Sequence, residues 1–222
     1  MADSEQINRD FYNTIGPDIL ASRSRPDWDK ATANIIKAML TPHADVLDVG
    51  CGYGRIAILL AKDGYHVTGI DLSKKLIERA RITVRKEKLS SIFDLGSMTQ
   101  LPYSENSFDA AICLWSAFSE LLGGTEQRQA LREMFRVIRP NGFALVESMT
   151  YQPASEAEIT SGTRSGPEGR ISNDVVEGQS NPHFLHDEKS YERLCKVAGI
   201  KNWRVFCRDW AGRPRLILEF RK

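Results

Sequence analysis

Three groups of residues in this chain could do chemistry. The first is Val46-Leu47-Asp48-Val49-Gly50-Cys51-Gly52-Tyr53-Gly54, set between an apolar run and a helical pattern. Glycines at such a junction let the backbone turn sharply and let a ligand approach without meeting Cβ atoms. The helix behind them offers free N–H groups at its start. Spacing discriminates between ligands: a dinucleotide loop follows GxGxxG. Counted from Gly50, that pattern meets Arg55 where the last glycine belongs; counted from Gly52, it meets Ala57. Asp48 adds negative charge that a pyrophosphate would not tolerate and a cationic ligand would favour. The second group is Asp71, which ends the next apolar run. A carboxylate there can accept both hydroxyls of a ribose, and it can equally cap the helix that begins after Ser73. The third group lies later in the chain.

That group holds the candidate acid–base residues. His183 and His186 sit in Asn-Pro-His-Phe-Leu-His, and Glu147 follows an apolar run. An imidazole or carboxylate there could take a proton from an acceptor. The bland alternatives are a solvated loop residue for His183, a helix cap for His186 and a solvated strand end for Glu147. Tyr12, Trp115, Phe118 and Tyr151, with Phe11 and Phe184, could wall a substrate pocket or belong to the core. Arg164 and Arg170 could greet an anion, or be a solvated loop face.

The elements that must position these residues alternate. Residues 1–27 carry Gly16-Pro17 and Arg25-Pro26 and predict a helical turn plus loop. Residues 28–40 predict an amphipathic helix stopped by Thr41-Pro42. Strands follow at 44–49, 65–70, 91–95, 108–114 and 143–147, with helices at 55–62, from Ser73 onward, and at 125–138. The run from Phe108 to Leu114 is apolar but for Asp109, as in a strand covered on both faces. Strands alternating with helices predict a parallel, doubly wound α/β sheet. Residues 152–182 are rich in Gly, Ser and Pro and predict a long loop or lid. A last helix spans 187–198 with Gly199 as its stop. Two strands, at 203–208 and 214–220, form a hairpin about Ala211-Gly212.

The segments VLDVGCGYGRIAILLAKDGYHVTGIDLS, LPYSENSFDAAICL and EMFRVIRPNGFALVES together resemble the class I S-adenosylmethionine (SAM)-dependent methyltransferases of the small-molecule group. The resemblance covers about residues 44–148. It implies a Rossmann-like sheet of seven strands, helices on both faces and an antiparallel C-terminal strand. It implies SAM as cofactor, with S-adenosylhomocysteine (SAH) as product. Gly50, Gly52 and Gly54 would line its methionine part, Asp48 would hold the ammonium, and Asp71 the ribose. Leu72 and Met98 would pack on the adenine, and Leu114 and Trp115 would lie near the methyl. Ser97 stands where such proteins usually carry an Asp for the adenine amino group, and a hydroxyl accepts more weakly than a carboxylate. The tetrad that amino-directed nucleic-acid methyltransferases carry after the fourth strand is absent; Cys113-Leu114-Trp115-Ser116 stands there.

The bulk numbers fit one domain: 222 residues, 41% hydrophobic and 27% charged, with formal net charge +1. No basic stripe points to nucleic acid and no apolar run is long enough for a bilayer. The polar N-terminus and the scattered Cys51, Cys113, Cys195 and Cys207 predict a cytoplasmic protein without a metal site. The expected organisation is a segment or lid at 1–43, a cofactor core at 44–150, an acceptor lid at 151–186 and a closing unit at 187–222. The expected activity is methyl transfer to O or N of a small molecule. A non-catalytic SAM-binding sensor or partner subunit stays open, and an NAD-dependent oxidoreductase after it. Sequence alone leaves monomer or homodimer open.

Overall fold

In a computed structural model of the protein, residues 4–222 are described. The elements in order are α1 (Ser4–Ser22), α2 (Pro26–Lys37), β1 (Asp45–Val49), α3 (Arg55–Lys62), β2 (His66–Asp71), α4 (Lys74–Glu87), β3 (Ile92–Leu95) and β4 (Phe108–Cys113). They continue with α5 (Gly124–Val137), β5 (Ile138–Ser148), α6 (Glu156–Thr160), β6 (Arg164–Ser165), β7 (Ile171–Val176), β8 (Gln179–Phe184), α7 (Glu188–Ala198), β9 (Asn202–Asp209) and β10 (Pro214–Arg221). Seven strands form one sheet in the order β3-β2-β1-β4-β5-β10-β9. β1 to β5 run parallel, and β10 is antiparallel to both β5 and β9. This is the predicted doubly wound sheet with its C-terminal hairpin.

Both faces of the sheet are covered. Ile36 of α2, Ile56 and Leu60 of α3 and Ile77 and Ala80 of α4 pack with Val46, Ala110 and Ile112 on one side. Leu131 and Met134 of α5 and Tyr191 and Leu194 of α7 pack with Leu47, Ala111 and Val146 on the other. Strand order reverses between β1 and β4, and at such a switch point the loops leaving the carboxyl ends diverge and open a crevice. Tight local signals set the helix ends. Ser73 accepts the Leu76 N–H to start α4, Asp187 accepts the Ser190 N–H to start α7, and Gly199 closes α7 in the left-handed region.

Two predicted loops are ordered instead. The N-terminal stretch is mostly helix: α1 is broken at Gly16 (φ 74°, ψ 172°), and Pro17 opens its second piece. Pro17 needs no N–H partner in a first turn, so the Gly-Pro pair re-aims the helix and does not end it. The stretch 152–182 is a small antiparallel sheet, β6-β7-β8, with α6 before it. Glu177 and Gly178 both have positive φ (49° and 75°) and join β7 to β8 in a two-residue turn of the hairpin kind. Val176 of this hairpin packs on Phe11 and Ile15 of α1. The supposed lid loop is therefore a brace holding α1 over the main sheet.

Candidate active site

The crevice at the switch point is a cavity of about 300 Å³ over the carboxyl ends of β1, β2 and β4. That is the lower end of the range for small-molecule sites. Its floor is the glycine turn after β1. Gly50 has φ +70°, and a Cβ there would stand 2.7 Å from the Ala117 Cβ. Gly52 has φ +56° with nothing nearer to such a Cβ than Leu76 at 3.9 Å. A side chain at Gly50 is thus excluded by protein and one at Gly52 would take ligand space. Gly54 has another job. It starts α3 at φ +82°, its Cβ would lie 2.8 Å from the Phe93 ring, and it does not line the cavity.

Three carboxylates face this space. Asp71 ties the turn together: one oxygen accepts the Gly52 N–H at 2.8 Å and the other the Ser73 N–H at 2.8 Å. Burial pushes Asp71 up to about 6, against the pull of those two N–H groups. Asp48 is buried, and desolvation raises it to about 7, with the Arg55 guanidinium pulling the other way and Asp71 adding to the rise. Glu120 comes from the 3-10 turn Ala117–Glu120 after β4 and accepts the Tyr12 hydroxyl of α1. Burial first, and the Glu120 charge second, hold the Tyr12 phenol well above its ordinary value. Carboxylates forced up by burial are ready for a cation, which would restore their charged form.

The remaining walls come from three places. Leu72, Leu76, Gly96 and Met98 line one side, and Leu114 and Trp115 follow β4. Trp115 and Ser116 are both left-handed (φ 57° and 64°), which is unusual for a bulky residue and costs backbone strain. α1 forms the roof. Its Asn8 amide donates to the Glu120 carbonyl at 3.1 Å, Asn13 accepts the Ser73 hydroxyl at 2.9 Å, and Ser4 donates to Glu126 and accepts the Leu122 N–H. The third wall is a stack of arginines and tryptophans: Arg25, Trp28, Arg213, Trp115 and Arg55.

A methyltransferase domain family matches residues 46–142. The chain is 43% identical over 161 residues to the methyltransferase GfsG of Streptomyces halstedii, which covers 70% of this chain and 52% of that protein. It is 35% identical over 157 residues to the glycine/sarcosine/dimethylglycine N-methyltransferase of Actinopolyspora halophila, covering 69% of this chain and 26% of that one. Over residues 46–142 the chain carries a methyltransferase domain, and these matches support the class I SAM-dependent methyltransferase superfamily. It spans from about a quarter to about half of the length of these curated relatives. The solved 1,6-didemethyltoxoflavin N1-methyltransferase of Burkholderia thailandensis shares the fold, with a TM-score of 0.74 at 18% identity over all of this chain and 91% of that one.

Of the residues predicted for the cofactor and acceptor sites, Asp48, Gly50, Gly52, Asp71, Leu72, Met98, Leu114, Trp115 and Tyr12 converge on the cavity. The others do not. The Ser97 hydroxyl is taken by Glu5 and Thr99, away from the cavity lining. Glu147 is 1% exposed and is paired with Arg215, which also donates to Ser116. It therefore holds the strained Trp115-Ser116 turn from beneath and cannot act as a base in the cavity. His186 is fully buried, stacked on Tyr191 at 4.4 Å and driven down to about 3 by burial. That makes it a neutral core ring. His183 is buried 3.6 Å behind Glu120, outside the cavity. Phe118 is core. Tyr151 donates to the Glu168 carbonyl and carries Arg170 on its face. Arg164 donates to the carbonyls of Gly169 and Gln152, so neither loop arginine greets a ligand.

Sequence reasoning missed Glu120, Asn8, Trp28, Arg55 and Arg213. Glu120 lies in a short 3-10 turn that no periodicity marks. Arg213 is brought in only by the hairpin between β9 and β10. Trp28 stands at the Pro26 start of α2, where Arg25 lies over its ring, and its i, i+4, i+8 spacing with Thr32 and Ile36 reads as an ordinary core stripe.

Proposed function

We propose that this chain transfers a methyl group from SAM to O or N of a small-molecule acceptor. The observation that carries the proposal is the trio of carboxylates around the Gly50–Gly52 turn, an acidic cradle suited to a cationic, phosphate-free ligand. The fit rests on the residues present. Gly52 leaves room for a ligand, Asp48 is buried with its charge uncompensated by any close salt bridge among the described residues, and Asp71 has lone pairs left after its two N–H bonds. Asp71 would hold the ribose hydroxyls and Asp48 the ammonium. Leu72 and Met98 would sandwich the adenine, and Leu114 and Trp115 would border the reacting end.

When bound, SAM supplies an electrophilic methyl carried on a sulfonium. The chain's own contribution is placement: the α1 roof excludes water, and the Trp115 turn fixes the acceptor's approach. Where the acceptor must lose a proton, Glu120, one of the three carboxylates lining the cavity and the one that Tyr12 orients, would receive it. Calorimetric titration with SAH and with NAD tests the cofactor. The expected result is saturable SAH binding and none for NAD; the reverse would overturn the proposal. Methyl transfer from labelled SAM to a small-molecule panel tests the activity. SAH binding with no transfer to any panel member or to a cell extract would assign the chain to a sensor or partner role.

A further inference from the structure

The acidic cradle accounts for half of the cavity's charge; the arginine–tryptophan wall remains. Arg213 is clamped between two rings, with its guanidinium carbon 4.3 Å from the centre of Trp28 and 4.4 Å from that of Trp115. Arg55 closes the far face of Trp115 at 3.9 Å, and Arg25 lies over Trp28 at 4.6 Å. Stacking of this kind orients a guanidinium while leaving its edge free to donate. Arg55 reaches Asp29 at 3.4 Å. Arg213 forms no ion pair among the described residues. Its Nε and Nη2 are buried without a hydrogen-bond partner, and so is Nε1 of Trp115 against which it stacks. Three buried donors thus stand together with no acceptor, although buried polar groups are nearly always satisfied. Burial, then the nearby charges of Arg215 and Arg55, lower the Arg213 pKa, a cost that a docked anion would offset.

Resting on the methyl-transfer proposal above, we infer that the acceptor carries a carboxylate, bound edge-on by Arg213 with help from the Trp115 indole N–H. The side-by-side donors of a guanidinium match the two oxygens of a carboxylate. A singly charged group is favoured over a phosphate because Asp48, Asp71 and Glu120 share the same small cavity, and a dianion would meet their field. The chain holds Arg213 in place through the turn between β9 and β10: Ala211 and Gly212 are left-handed, Trp210 and Arg213 exchange backbone bonds, and Asp209 accepts the Gly212 N–H.

The test titrates the protein, free and with SAH, against acetate, benzoate, benzamide and phenyl phosphate, following tryptophan fluorescence, to which Trp28 and Trp115 contribute beside Trp203 and Trp210, and one-dimensional NMR of the ligands. At least one of the two acids is expected to bind saturably, with benzamide at least tenfold weaker. Arg213→Gln is expected to weaken the acid at least tenfold and to leave the SAH dissociation constant within twofold. Arg213→Lys, which keeps the charge and loses the fork, should fall between. Binding of neither acid, equal binding of acid and amide, or an Arg213→Gln protein that binds the acid as well as the parent would overturn the inference. Phenyl phosphate binding tighter than both acids would also overturn it. Failure of SAH to bind would sink the methyl-transfer proposal and with it the acceptor's role, while the acid titration on the free protein still reads the carboxylate site at Arg213 directly.

Discussion

At Asp48, burial and function pull in opposite directions. Its carboxyl is raised from the ordinary aspartate range to about 7 by desolvation. A group that holds its proton more tightly when folded stabilises the fold fully at pH below about 4. That contribution is lost as pH rises through about 7. The ligand-free protein is therefore expected to lose stability between pH 4 and 7, while SAH binding strengthens over pH 6–8 as Asp48 and Asp71 ionise. Urea titrations at several pH values, with and without SAH, check both. Asp48→Asn removes the buried charge, so it is expected to raise the stability of the ligand-free protein at pH 8 by about 1–3 kcal/mol and to weaken SAH binding more than tenfold. Unchanged stability together with unchanged binding would show that Asp48 stays neutral in the cavity. Glu147 behaves otherwise. Glu147→Gln leaves Arg215 buried and unpaired and is expected to cost about 3 kcal/mol of unfolding free energy. SAH affinity in the folded protein should drop less than Asp48→Asn makes it drop.

The elements differ in how plainly they were written in the sequence. β1 and β4 could be read because strands covered on both faces need mostly apolar runs, and Val46–Val49 and Phe108–Cys113 supply them with one aspartate each, while β2 could be read from its place between the helices at 55–62 and after Ser73. The caps at Ser73, Asp187 and Gly199 and the Ala211-Gly212 turn could be read because each rests on one local interaction. β6 to β8 could not, because most of their side chains meet no apolar layer: Asn173, Asp174, Gln179 and Ser180 give no alternation, and Pro182 argues against a strand until its place on an edge is known. The same gap hid half of the site. The glycine turn and its two aspartates lie within one strand–helix–strand unit, whereas Glu120, Arg213 and Trp28 reach the cavity only through tertiary packing. His186 misled for a related reason: a polar ring stacked in the core has the same sequence signature as a catalytic one. The β7–β8 turn offers its own check. Glu177 takes a left-handed φ that Asn tolerates better. Glu177→Asn is expected to stabilise the protein by about 0.5 kcal/mol in thermal unfolding, without altering SAH affinity.

Across the whole molecule, the cavity draws on α1, the glycine turn, the turn after β4 and the β9–β10 hairpin. Ligand binding should therefore stabilise the fold globally. At SAH a hundredfold above its dissociation constant the gain is expected to be about 2.7 kcal/mol, visible as a rise of several degrees in the unfolding midpoint. A ligand that protected only α1 from hydrogen exchange would contradict this. Wall residues run from Asn8 to Arg213, so the recognition surface exists only once α1 and the β9–β10 hairpin have both packed on the sheet. A polypeptide still emerging from the ribosome, or one nicked within the β7–β8 brace, should hold neither nucleoside nor acid, and occupancy becomes a readout of chain integrity.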